Sequence, residues 1–244
     1  MSQSTDVDFT TRNHILNSIA KNDLARLRPV LEKVELPHGL ILYESGATIG
    51  EIYFPDDAVV SVVTATLSGH YAEAGLIGWE GMSGVEAMFD GPISLNQQII
   101  QLPGHGHRVE LGAVKAEFAL GGSFQKAALA FTRNMLAQTS QTALCNRLHV
   151  AEQRLAKWLL MLHDRASSDV LNITQEFAAL MLGSNRVTLT QAARQLQEHG
   201  MIEYRRGVVT ILNRELLESF SCECYQKIKE EFDRYLATSS GGVS

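Results

Sequence analysis

Three cysteines in 244 residues are few and odd in number, so a disulfide framework is not what holds this chain together, and a reducing compartment is expected. No apolar run approaches the ~20 residues that cross a bilayer, and the opening stretch MSQSTDVDFTTRNH has neither a basic nor an apolar export segment. The expectation is a cytoplasmic protein with no membrane partner. Internal repeats and low-complexity segments are missing too. Proline is scarce, at 5 residues against 19 glycines, and with 45% hydrophobic and 20% charged residues the composition is globular, enough for one large domain or two modest ones. A formal net charge of −6 argues against wholesale wrapping of nucleic acid. It leaves room for a small basic patch, because phosphate contacts depend on where Lys and Arg sit.

The pattern changes character near residue 112. Before it, short β-branched and aromatic runs alternate with glycine: 40–46, 49–57, 58–70, 71–81 and 96–112. Runs of this length between turn signals predict antiparallel strands curled into a sandwich or barrel, preceded by a helical stretch from Arg12 to Leu31. From about Lys115 the period becomes helical. Leu129, Leu136, Ala143 and Leu144, with Thr132 and Thr139, form a heptad-like stripe, which reads either as the face of a buried central helix or as a seam between two copies of the chain. A break is expected near Cys145–His149, then a second helix from Val150 to Arg165. The tail from Asn213, an N-cap, reads as one amphipathic helix, and the final TSSGGVS has nothing to bury and is expected to be disordered.

Residues 173–212 carry the strongest signal. Phe177, Leu180 and Leu182 on one predicted helix and Val187, Leu189, Ala193 and Leu196 on the next are spaced to share a small core with the preceding helix. Gly183 falls where the chain must turn sharply between them. This is helix-turn-helix spacing. The second helix opens with Ser184, Asn185, Arg186, Thr188 and Gln191, residue types that bond base edges and phosphates. Tyr204-Arg205-Arg206-Gly207 then predicts a hairpin whose tip offers Arg205 and Arg206 to a DNA backbone. Between 170 and 213 there are four Arg against three Glu, a positive balance within an acidic chain. A packing module with merely solvated arginines is the bland alternative.

Gly183-Ser184-Asn185-Arg186-Val187-Thr188-Leu189-Thr190-Gln191, followed by Leu196 and Gly200-Met201-Ile202, resembles the recognition-helix pattern of the Crp/Fnr superfamily of bacterial transcription regulators, and the likeness extends over nearly the whole chain. The resemblance implies an α+β fold: a cyclic-nucleotide-binding-type β-barrel sensor over 1–125, a dimerisation helix over 126–149, a winged helix-turn-helix over 150–216 and a C-terminal helix and tail over 217–244. It implies a homodimer on a two-fold-symmetric double-stranded DNA operator, with RNA polymerase and a small-molecule effector as further partners. Arg186 matches the base-reading arginine, Asn185 and Thr188 match contacting positions, and Thr174 joins the set. Val187 stands where many members carry a base-reading Glu, and Gln191 where some have a second Arg, so the operator should differ from that of the cyclic-AMP receptor. CNRLH (145–149), RLAKWLLMLHDR (154–165) and SCECY (221–225) resemble a subgroup with uncharacterised effectors.

GLILYESGATIGEIYF (39–54) resembles the family's opening barrel strands. The effector pocket that the resemblance implies takes in Gly84, Val85 and Glu86 from the barrel and Thr139 and Ser140 from the long helix. Val85 replaces the ribose-binding Glu of cyclic-AMP binders, and no Arg occurs between Gly81 and Arg108. A buried cyclic phosphate would lack a cation there, so cyclic AMP is not the expected effector. Iron–sulfur members need clustered N-terminal cysteines, and none precedes Cys145. His38, His70, His105 and His107 are potential haem ligands, more simply read as structural histidines. Cys222 and Cys224 on one helix would diverge by about 200°, which suggests inert thiols rather than a redox sensor. No cofactor, catalytic residue or metal ligand is assigned, and no enzymatic activity is expected. The competing class is a cupin-like metal enzyme built on GHGHRVELG (104–112), but Glu110 has the wrong parity to share a strand face with His105 and His107.

Overall fold

The computed structural model describes residues 9–89 and 91–239. Two short helices come first, α1 (His14–Ser18) and α2 (Lys21–Leu27), the second continued by a 3-10 turn. The sequence suggested one helical stretch here; the chain instead extends at Ile19 and Ala20. Seven strands follow: β1 (Glu32–Leu36), β2 (Ile41–Tyr43), β3 (Glu51–Pro55), β4 (Val59–Ala65), β5 (Tyr71–Ile77), β6 (Gln97–Leu102) and β7 (Gly104–Glu110). β1 was not anticipated, and the run 96–112 divides at Pro103, which can donate no ladder hydrogen bond.

The strands form two antiparallel sheets, β1-β7-β3 and β2-β6-β4-β5. The expected barrel is therefore not closed; the sheets face each other across a core that includes Leu36, Ile52, Phe54, Val60, Ile100 and Val109. Residues 59–63 of β4 are buried on both faces, which explains an apolar run interrupted only by Ser61. Val60 and Val62 point into the sandwich, while Val59 and Val63, one residue out of phase with them, join the core built around the C-terminal helices.

Helix α3 (Leu111–Ala119) leads into α4 (Ser123–Leu148), the long helix. One face of α4 buries Phe124, Ala128 and Phe131 against the sheets. It crosses β5 so closely at Gly75 that a Cβ there would stand 3.2 Å from the Met135 methyl. Just beyond, the Gln138 amide accepts from Leu76 N at 2.8 Å and donates to Leu76 O at 3.1 Å, so a side chain covers the open edge of the four-stranded sheet. The predicted break is present: His149 and Val150 are extended, and α5 (Ala151–His163) starts anew.

Helix α5 is buried on nearly every side and is the hub of the second core. Around it pack β8 (Val170–Asn172), α6 (Gln175–Met181), α7 (Arg186–Glu198), β9 (Ile202–Arg205), β10 (Val208–Ile211) and α8 (Arg214–Phe220); α9 (Glu223–Ser239) then returns along α4. β8-β10-β9 form a small antiparallel sheet. Asn213 does cap a helix, its side chain accepting from Leu216 N, but that helix stops at Ser221, whose hydroxyl bonds Glu218 O at 2.8 Å. The tail is thus two helices where one was expected. Of TSSGGVS, Thr238 and Ser239 end α9, and 240–244 lie outside the described residues. Among the described residues no helix is long and apolar enough to cross a membrane.

Candidate nucleic-acid interface

Helix α6 is capped by Thr174, whose hydroxyl accepts from Phe177 N, and α7 by Asn185, whose carbonyl oxygen accepts from Thr188 N at 2.8 Å. Between them Gly183 takes φ +56°, with Ser184 N bonded to Ala179 O at 2.9 Å and Gly183 N to Leu180 O at 3.1 Å. That is a Schellman stop, and it aims the start of α7 outward. Ala178, Ala179, Met181, Leu189, Ala192, Ala193 and Leu196 fill the shared core. Two residues expected there are outside it: Leu180 is 42% exposed and Val187 is 68% exposed. The 100° step per residue puts Val187 beside Arg186 on the outer face rather than under it.

Arg186, Thr190 and Gln191 share the exposed side of α7's first turns. Arg186 Nη1 lies 3.1 Å from Glu176 Oε1, an ion pair between two open side chains and therefore weak. Arg206 and Gly207 make the two-residue turn joining β9 to β10, both at positive φ, 51° and 82°. This is the geometry of a type I′ hairpin, and Arg206 holds a left-handed conformation that a side-chain-bearing residue adopts at a cost of about 1 kcal/mol. The tip folds back on the α6 cap, since a Cβ on Gly207 would lie 3.4 Å from the Thr174 methyl. Thr174, Glu176, Arg186, Tyr204 and Arg206 thereby line one open groove. Arg205, by contrast, ends β9 and leans 3.5 Å from Glu203 on the same strand face; the expected pair of tip guanidiniums is one tip and one strand residue. Burial pushes the Tyr204 phenol far above its usual range, so it stays a neutral donor.

Ser184 and Asn185 sit in a second cleft, against Thr66, His70 and Tyr71 of the β4–β5 hairpin. Sequence reasoning did not find Glu176 or Glu203, the acidic partners of two candidate contacts. Both are among the three Glu of 170–213, but only the fold pairs them with Arg186 and Arg205.

The expected effector residues lie on two separate elements. Gly84 (φ +78°) and Val85 open a buried 3-10 turn, whose Phe89 packs on Phe118 of α3. Glu86 accepts from Ser94 Oγ at 3.2 Å and Gln98 Nε2 at 3.1 Å. Thr139 and Ser140 are exposed on α4. Arg108, the next Arg in sequence, pairs with Glu32 and Glu51. Nor do the cupin residues converge: His107 is buried beside Asp56 at 3.3 Å, while His105 is half-exposed near Asp57 and Glu110 is exposed.

Residues 153–220, from α5 through α8, match the Crp-like helix-turn-helix domain. No curated protein sequence matches the chain significantly. Among solved structures, a Crp/Fnr-family protein from Eubacterium rectale is 15% identical with a TM-score of 0.67, covering 84% of this chain and 96% of its own. FixK2 from Bradyrhizobium japonicum is 16% identical with a TM-score of 0.67 over 79% of this chain and 98% of that one. The c-di-GMP-responsive global regulator CLP of Xanthomonas campestris is 14% identical with a TM-score of 0.62, over 79% and 99%. At such identities the structural likeness is one of fold, and the helix-turn-helix match supplies the sequence-level link. Residues 153–220 are thus a Crp-like helix-turn-helix domain, and the succession of paired sheets, long helix and winged module is the fold of the Crp/Fnr-family structures that the chain resembles.

Proposed function

We propose that this protein is a homodimeric, sequence-specific DNA-binding transcription regulator acting in the cytoplasm, with α7 as the helix that reads the major groove. The observation that carries the reading is the position of Arg186: exposed at the N-terminal end of α7, beside the exposed Val187 and across one groove from Arg206. An Arg there can bond guanine O6 and N7 bidentately, Val187 offers an apolar contact to a thymine methyl, and the first N–H groups of α7 attract phosphate. Arg206 at the wing tip and Thr174 at the α6 cap serve the backbone, as do Ser184, Asn185 and Thr188; Gln191 is a second base reader, and Arg205 a phosphate contact once it leaves Glu203. DNA would displace Glu176 from Arg186, an exchange made easy by the exposure of that pair.

The dimer reading rests on α4. Leu129, Leu136, Leu144 and Leu148 are 46 to 64% exposed and lie along the side of the helix opposite its sheet contacts, as the heptad-like stripe requires. Two copies joined there would place two α7 helices on a two-fold-symmetric operator. The paired sheets then serve as the sensor of a small molecule, with RNA polymerase as a downstream partner. Gly84, Val85 and Glu86 on one side and Thr139 and Ser140 on the other belong to an effector site only if the partner subunit helps to close it. The absence of an interior Arg near Glu86 speaks for an effector other than cyclic AMP. Selection of bound duplexes from a random pool tests the reading directly: a two-fold-symmetric consensus supports it, and no enrichment over non-specific duplex rejects it.

A further inference from the structure

The three cysteines converge. Cys145 is near the end of α4, His149 follows that helix directly, Cys222 lies in the break between α8 and α9, and Cys224 is in the first turn of α9. Their three sulfurs and one ring nitrogen all fall within 4.8 Å of one another. Cys145 Sγ is 3.5 Å from Cys222 Sγ, and Cys224 Sγ is 3.4 Å from His149 Nδ1. Around a tetrahedral zinc ion with bonds of about 2.3 Å to sulfur and 2.0 Å to nitrogen, adjacent ligand atoms stand roughly 3.5–3.8 Å apart. An iron–sulfur cluster, whose own iron and sulfide atoms must fit between the thiolates, needs a wider cage than this.

We propose that Cys145, His149, Cys222 and Cys224 bind one zinc-class divalent ion in a closed Cys3His tetrahedron. Cys222 and Cys224 can reach a common point because Cys222 precedes α9 instead of lying on it, so the 200° divergence of a helical C-x-C does not apply. The surroundings suit the metal as well. With Nδ1 on the ion, His149 Nε2 faces Glu223 at 3.2 Å, the carboxylate contact that fixes tautomer and ring angle in metal-bound histidines. Gln141, one turn before Cys145 on α4, donates to Cys224 Sγ at 3.1 Å. Three thiolates and a neutral imidazole around a divalent ion carry one net negative charge. The buried ammonium of Lys157, bonded at 3.5 Å to Thr142 on the same turn of α4, stands ready to balance it. All three cysteines are buried and four protein ligands fill the tetrahedron, so the site is structural rather than catalytic.

Its position gives it a consequence. His149 is the joint between α4 and α5, and α9 runs back along α4. A bound ion therefore fixes the direction in which α5, and the helix-turn-helix behind it, leaves the long helix.

The test uses the full-length chain, reduced and freed of metal, titrated with Co2+. Tetrahedral thiolate coordination gives intense visible d–d bands and a near-ultraviolet sulfur-to-cobalt charge-transfer band; these should saturate at one Co2+ per chain and disappear when Zn2+ is added. Cys222→Ser and Cys224→Ser should each take bound cobalt from stoichiometric to near zero, with His149→Ala weakening it. The wild-type titration decides the matter even where a variant fails to fold. No thiolate spectrum with Co2+, together with no metal retained after purification in zinc-supplemented medium, overturns the proposal. So does stoichiometric metal whose spectrum survives in a folded Cys222→Ser, Cys224→Ser double variant. Because the readout is metal binding, it is independent of whether the chain binds DNA.

Discussion

The indole N–H of Trp158 on α5 donates to the carboxylate of Glu73 on β5 at 3.0 Å, inside the seam between the sheets and the C-terminal module. Ser61 on β4 donates to the same carboxylate at 2.8 Å and also lies against the Gln101 side-chain oxygen. One hydroxyl cannot donate twice, and Gln101 Nε2 has no partner. A turned Gln101 amide, donating to Ser61, leaves that hydroxyl with one acceptor, Glu73, and one donor.

Burial pushes the Glu73 carboxyl up to about 7, against the opposing pull of Ser61, Trp158, Lys157 and Arg165. The unfolded chain releases this proton near 4.5 and the folded chain only near 7. The contribution of Glu73 is thus fully present below about pH 4.5 and is lost as pH rises through 7. The total is on the order of 3 kcal/mol. Glu73→Gln should be flatter across that window and more stable than wild type at pH 8, measured by urea melts at several pH values. An unchanged pH dependence would contradict the assignment.

Arg165 at the end of α5 and Glu80 after β5 form a buried ion pair at 2.8 Å, 2% and 0% exposed. The Phe232 ring of α9 lies 5.0 Å from the guanidinium. Glu80→Gln leaves a buried cation poorly compensated and should destabilise the chain by about 3–5 kcal/mol. An Arg165→Met, Glu80→Gln double variant should recover part of that loss, seen as a coupling energy in a double-mutant cycle.

Arg186→Ala should weaken specific duplex binding by roughly 1–3 kcal/mol per half-site and relax preference at one base position in each half. Arg206→Ala should weaken all duplexes alike and flatten the salt dependence, because phosphate contacts carry no sequence information. Titrations of selected and scrambled duplexes at two salt concentrations separate the two. If Arg186→Ala keeps the wild-type preference and Arg206→Ala loses it, α7 is not the reading helix.

Leu136→Glu, in the middle of the exposed α4 stripe, should convert a dimer to monomer at micromolar concentration in light scattering while leaving the fold intact by circular dichroism. A wild-type monomer at the same concentration would remove α4 as the seam.

The amino-acid pattern alone determined the two halves, the break at His149, the Gly183 turn and the outward Arg186. These rest on local rules: helical period, cap chemistry and the φ tolerance of glycine act over a few residues and are written in adjacent letters. Tertiary structure decided the rest. Whether seven strands close into a barrel depends on edge pairing, and here the Gln138 side chain and not another strand covers the β5 edge. The acidic partners of Arg186 and Arg205 follow from which element lies across the groove or along the same strand. Most plainly, Cys145 and Cys222 are 77 residues apart in sequence. Only the stop at Ser221 and the return of α9 along α4 bring their sulfurs together, because convergence of distant side chains is a property of packing and not of spacing.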